Sequence, residues 1–111
     1  MVKKPDNSPE PGFYHHYKHD PAKGPRDYAY EVMGVGCHTE ENCRPEDAYV
    51  VVYRPLYPSS VYVNGKMFDV RPLGMFTETV ERDGVERPRF TPVTDPAAVA
   101  ELSTVRDGMY P

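Results

Sequence analysis

Tyr49-Val-Val-Val-Tyr-Arg-Pro-Leu-Tyr57 is apolar on both sides of an extended chain, with Val50 and Val52 on one side and Tyr49, Val51 and Tyr53 on the other. A run of that kind belongs in the middle of a sheet. It closes on Arg-Pro-Leu, and the same triplet closes a second strand-like run, Phe68-Asp-Val-Arg-Pro-Leu-Gly-Met-Phe76. A residue before proline is pushed out of the helical region, and proline has no N–H for a ladder. Each triplet is therefore expected to end a strand and to set its arginine, Arg54 or Arg71, at a sheet edge or rim.

Composition points the same way. The chain carries 14 Val and 9 Tyr against 3 Leu and no Ile, which favours a pleated surface over a helix. Its 13 prolines are scattered, so they punctuate short elements and stiffen many loops. At 111 residues it has the length of one domain. The formal charge of -4 argues against strong non-specific binding to nucleic acid, which depends on many lysines and arginines, while leaving room for a local basic rim. No run of 18 apolar residues and no apolar signal-peptide centre is present, so a cytoplasmic protein without a membrane segment is expected. Cys37 and Cys43 then read as free thiols.

Along the chain, residues 1–12 are polar and proline-rich and are expected to form a disordered tail. Phe13 to Lys18 is a short aromatic strand candidate, followed by a turn-rich loop from Asp20 to Arg26. Tyr28 to His38 is the next strand. Strict alternation places Tyr28, Tyr30, Val32, Gly34, Gly36 and His38 on one face, with Ala29, Glu31, Met33, Val35 and Cys37 on the other, and the glycines mark a bend. Asn64-Gly65 predicts a tight, projecting hairpin. A helical turn is expected over Leu73 to Phe76, then a strand to Glu81 and a reversal at Asp83-Gly84. Asp95-Pro96 predicts the cap and first residue of a helix of under three turns, with Val99 and Leu102 on its apolar side. The expected fold is mostly β: a small, strongly curved antiparallel barrel of about five short strands spanning 13–93, then a short C-terminal helix and tail over 94–111.

Five ordered motifs carry a resemblance: His16-Tyr17-Lys18, Tyr30 to Glu40, Val51 to Tyr57, Val70 to Phe76 and Pro88-Arg-Phe90. Over about residues 13 to 91 the chain resembles the bacterial domain-of-unknown-function family numbered sixteen fifty-three. That resemblance implies an SH3-like barrel with no established activity. The stretches DPAKGPRDYA, ENCRPEDA and the Asn64-Gly65 hairpin look like insertions relative to the family pattern. Asp69 stands where that pattern leads one to expect a large aromatic.

The polar residues within those motifs are His16, His38, Glu40, Tyr53, Arg54 and Arg71. In a closed barrel, His38 and the two arginines converge on one rim, where a guanidinium grips an anionic or planar ligand and Tyr53 or Tyr57 offers a stacking face. The competing expectation is structural, with Arg54 and Arg71 paired to Glu40, Asp69 or Glu78. Neither a metal site nor a cofactor is expected from the scattered histidines and cysteines. Cys37 and His38 are neighbours on a strand and point to opposite faces, which removes them as a nucleophile and base pair. These residues are compatible with three functions: recognition of a nucleotide, modified base or nucleic-acid end; a protein-interaction module; and, least favoured, a small hydrolase or transferase using His38 with Glu40.

Overall fold

The computed structural model describes residues 3–58 and 68–111; the expected Asn64-Gly65 hairpin lies outside them. Among the described residues, seven strands form two antiparallel sheets. The larger has the order β4-β3-β2-β1-β7, made from β1 (Gly12–His16), β2 (Ala29–Cys37), β3 (Tyr49–Pro55), β4 (Asp69–Pro72) and β7 (Phe90–Pro92). The smaller is a ribbon of β5 (Thr79–Arg82) and β6 (Val85–Pro88). Its two-residue turn needs a left-handed backbone at both positions, and Asp83 and Gly84 supply it with φ of 55° and 77°.

Both Arg-Pro-Leu triplets end a strand. β3 stops at Pro55 and β4 at Pro72, where Leu73 opens the short helix α1 (Leu73–Thr77). The strand read as central, β3, lies between β2 and β4.

Alternation along β2 is interrupted between Val32 and Gly34, where the register against β3 shifts. Strict alternation puts Val35 and Cys37 on the face away from Val32. The bulge instead sets Val35 opposite Val51 and Cys37 opposite Tyr49, on the same face as Val32 opposite Tyr53. Gly34, with φ 155°, takes a conformation that side-chain-bearing residues avoid.

This bulge bends the sheet strongly. Four inter-strand steps separate β4 from β7, about 19 Å across a flat sheet. Yet Arg71 of β4 reaches to 5.7 Å from the ring centre of Phe90 on β7, and Phe76 of α1 stacks on the same ring at 4.1 Å. Among the described residues no ladder joins β4 to β7, so side chains close the gap that a barrel closes with hydrogen bonds.

Two cores result. Inside the curl lie Tyr14, Val32, Val51, Tyr53, Leu73, Phe76 and Phe90. On the convex side, Phe13, Ala29 and Leu56 pack against Leu102 of the helix α2 (Pro96–Met109), with Val99 and Val105 alongside. The Asp95 side chain accepts from the Ala98 N–H, capping α2 as its sequence predicts. At 14 residues α2 outruns the expected three turns: Gly108 stays within it, and the Tyr110 ring beyond it is held on the sheet through a 2.5 Å hydrogen bond to the Pro55 carbonyl. No helix of the described residues is long and apolar enough to cross a membrane.

Candidate functional site

Register decides what the two motif arginines do. Arg54 is opposite Glu31 across β3 and β2, whereas Arg71 is opposite Val51 across β4 and β3. Glu31 and Val51 face opposite sides of the sheet, so the arginines do too. The single rim that sequence reasoning builds from both therefore does not assemble.

On the convex side, Arg54 is enclosed. Its Nε and Nη2 donate to one oxygen of the buried Glu31 carboxylate at 2.9 and 2.8 Å, while Nη1 of Arg106 donates to the other at 3.0 Å. The Arg54 guanidinium lies 3.9 Å from the centre of the Tyr110 ring, and that of Arg106 lies 5.6 Å from Phe13. A carboxylate buried to this extent needs both cations to offset its lost hydration. Their effect is to pin α2 to the sheet. Glu31 is the partner that sequence reading missed, because the carboxylates weighed for Arg54 were Glu40, Asp69 and Glu78.

Inside the curl the chemistry is different. Nε of Arg71 donates to the Tyr53 hydroxyl at 3.1 Å, and among the described residues Arg71 makes no ion pair. The ring of His16 lies 5.2 Å from Phe90 and 5.6 Å from Tyr28, and the Tyr30 and Tyr57 hydroxyls meet at 2.5 Å. Tyr30 also packs edge-on against Tyr53, Tyr57 and Phe90. These rings form one aromatic cluster on the concave side: Tyr53 and Phe90 are buried within it, while His16, Tyr28, Tyr30, Tyr57 and the Arg71 guanidinium are half-buried at its margin. Burial raises the pKa of Tyr30, helped by its bond to Tyr57, and burial raises that of Tyr57, so both phenols stay protonated at neutral pH.

His16 reports the field there. Burial first, then the positive charges of Arg71, Arg89, Lys18 and Arg82, push it down from 6.5 to about 4. Its Nδ1 accepts the Lys18 backbone N–H at 3.2 Å, which leaves the proton of the neutral ring on Nε2. A chain of net negative charge thus gathers four cations around one neutral imidazole. Arg89 carries an ion pair with Glu78 and lies 6.0 Å from the Tyr17 ring, and Lys18 lies 5.9 Å from the same ring. Lys18, Phe90 and Arg89 stand in the His-Tyr-Lys and Pro-Arg-Phe motifs, a signal available in the sequence but read only for its histidine.

The remaining sequence candidates lie elsewhere. His38 follows the far end of β2 from Tyr28 and His16; its Nδ1 accepts the Glu40 N–H at 3.1 Å, and both residues are exposed. They join neither arginine. Cys37 and Cys43 are unbridged. His15 and His19 stack face to face, with centroids 3.6 Å apart and planes 5° apart, and bond the Pro25 and Asp27 carbonyls. Parallel rings direct their lone pairs alongside one another instead of toward one point, and no group of three metal-ligating residues occurs among the described residues.

No curated protein matches this chain, and neither does any solved structure. A family model, described as a protein of unknown function (DUF1653), matches residues 12–92. The match begins with β1 and ends with β7, so it takes in the curved sheet, the ribbon and the concave face, while α2 lies beyond it. With most of its length inside that match, the chain belongs to the DUF1653 family.

Proposed function

We propose that this protein is a binding module whose concave face recognises a nucleotide, a modified base or a nucleic-acid end, within an SH3-like curved sheet. The observation that carries the reading is Arg71: a guanidinium held by a tyrosine hydroxyl, without an ion pair among the described residues, at the edge of an aromatic face. Arginine beside aromatic rings both stacks on a planar base and bonds its acceptors. The cations around His16 favour the negative charge that a nucleotide brings. His16, with its Nε2–H, and Tyr53, through Arg71, complete the set. His38, Glu40 and Arg54 are not part of it.

The test is an amide-correlation NMR titration of the labelled full chain with nucleotides and short single-stranded oligonucleotides. Shifts should cluster on His16, Tyr30, Tyr53 and Arg71. An unchanged spectrum at millimolar nucleotide and micromolar oligonucleotide would remove the reading.

A second reading, a protein-interaction module, draws on a cleft of about 550 Å³ lined by Pro45, Tyr49, Pro72, Leu73 and Met75. Aromatic and proline-lined grooves of this kind suit proline-rich peptides. In the same titration, proline-rich peptides that shift Tyr49 and Met75, with nucleotides silent, would favour it.

A further inference from the structure

The β5–β6 ribbon segregates charge in a way that the concave face alone does not require. Its register pairs Arg82 with Val85 and Val80 with Arg87, while Glu81 pairs with Glu86 and Thr79 with Pro88. Side chains opposite one another share a face, so Arg82 and Arg87 lie together with two valines, and both glutamates lie on the other side. The basic face is the one turned toward the site: Nη1 of Arg82 lies 3.5 Å from the Tyr17 carbonyl, and its charge acts on His16. Apart from half-buried Val80, the strands are exposed, and Val85 is 50% exposed.

Arg71 stands on the concave side, Lys18 and Arg89 flank Tyr17, and along the ribbon Arg89 lies at the base opposite Glu78, then Arg87, then Arg82 beside the turn. Only Arg89 among them is ion-paired among the described residues, to Glu78. The four cations left without an ion pair among the described residues exceed what one phosphate, of charge about -1.5 to -2, can satisfy. Their line suits a chain of phosphates, and the valines between the arginines suit sugars and base edges.

We propose that the basic face of the ribbon is a phosphate track, so that the ligand is a single-stranded nucleic acid whose terminal base enters the concave face while its backbone runs past Lys18, Arg87 and Arg82. This rests on the reading of the concave face given above. A mononucleotide fills only the inner part of such a site. A longer strand adds one contact for each cation it reaches, and each contact releases counterions.

The experiment compares a five-nucleotide single-stranded DNA with the mononucleotide of its terminal base, using the full chain and a range of salt. The oligonucleotide should bind about tenfold tighter or more, with log K falling against log salt at a slope of about -2 for three neutralised phosphates. Arg87→Gln, at an exposed position, should lower that slope by about 0.7 and weaken the oligonucleotide severalfold, and Arg87→Glu should weaken it further. Mononucleotide binding should stay the same in both variants. Equal affinities for the two ligands, an Arg87→Glu protein that keeps full oligonucleotide affinity, or displacement by polyglutamate as readily as by DNA would overturn the track while leaving the concave face standing. Silence from both ligands would overturn the concave-face reading and the track with it.

Discussion

Arg54-Pro55-Leu56 and Arg71-Pro72-Leu73 are the same three residues doing opposite work. The first sends its arginine and leucine to the convex side, where Arg54 binds Glu31 and Leu56 is fully buried under α2. The second sends both to the concave side, where Leu73 joins the aromatic core and Arg71 rests on the Tyr53 hydroxyl beside Phe90. Proline ends the strand in each case, but the face is set by the partner across the ladder, and a one-residue change of register inverts it. Identical motifs thus separate into a clamp and a candidate contact.

The comparison breaks most sharply at Glu31. Glu31→Ala leaves Arg54 and Arg106 without their buried acceptor, and it should cost about 3–5 kcal/mol, read from urea denaturation with loss of helical signal from α2. No comparable carboxylate supports Arg71 among the described residues, so a similar loss on removing any single carboxylate near the concave face would erase the distinction.

The leucines come next. Leu56→Ala and Leu73→Ala should each cost about 2–5 kcal/mol, with Leu56 the costlier because it is 0% exposed against 7% for Leu73. Equal thermal shifts would mean that the two cores bear the fold evenly. Leu73→Ala should also weaken nucleotide binding, since it loosens the core beneath Arg71; Leu56→Ala should not.

Acid sharpens the contrast further. Unfolded His16 titrates near 6.5 and folded His16 at about 4, so between those values the unfolded chain takes up a proton that the native chain refuses. Its contribution is complete above about pH 6.5 and is lost progressively as pH falls toward 4. His15, pushed down mainly by burial, acts in the same direction. Thermal melts of His16→Gln should show a shallower loss of stability across that window than the parent. A slope that does not change would mean that the ring is already protonated in the native state.

Much of the fold was legible because its signals are local. Proline ended β3 and β4, Asp83-Gly84 turned the ribbon, and Asp95-Pro96 began α2. Facing was less legible, because the bulge at Met33 is one residue in length: Gly34 marks the bend, but nothing local counts the extra residue that reverses Val35 and Cys37. The candidate site was half legible for the same reason. His16, Tyr53 and Arg71 converge, whereas His38 and Glu40 lie at the other end of β2 and Arg54 lies on the other face, separations set by register and curvature across strands distant in sequence.

The smallest expected stability change is also the most telling. Arg71→Gln removes one hydrogen bond to Tyr53 and should cost only about 1 kcal/mol, whereas Arg54→Gln weakens a buried carboxylate's pairing and should cost more. The decisive measurement is a nucleotide titration by NMR on Arg71→Gln beside the parent, with a thermal melt of both variants. A well-folded Arg71→Gln protein that has lost its shifts at His16 and Tyr30 is expected, beside an Arg54→Gln protein that melts markedly lower. An Arg71→Gln protein that binds as the parent does, or that melts as low as Arg54→Gln, would contradict the division of labour between the two triplets.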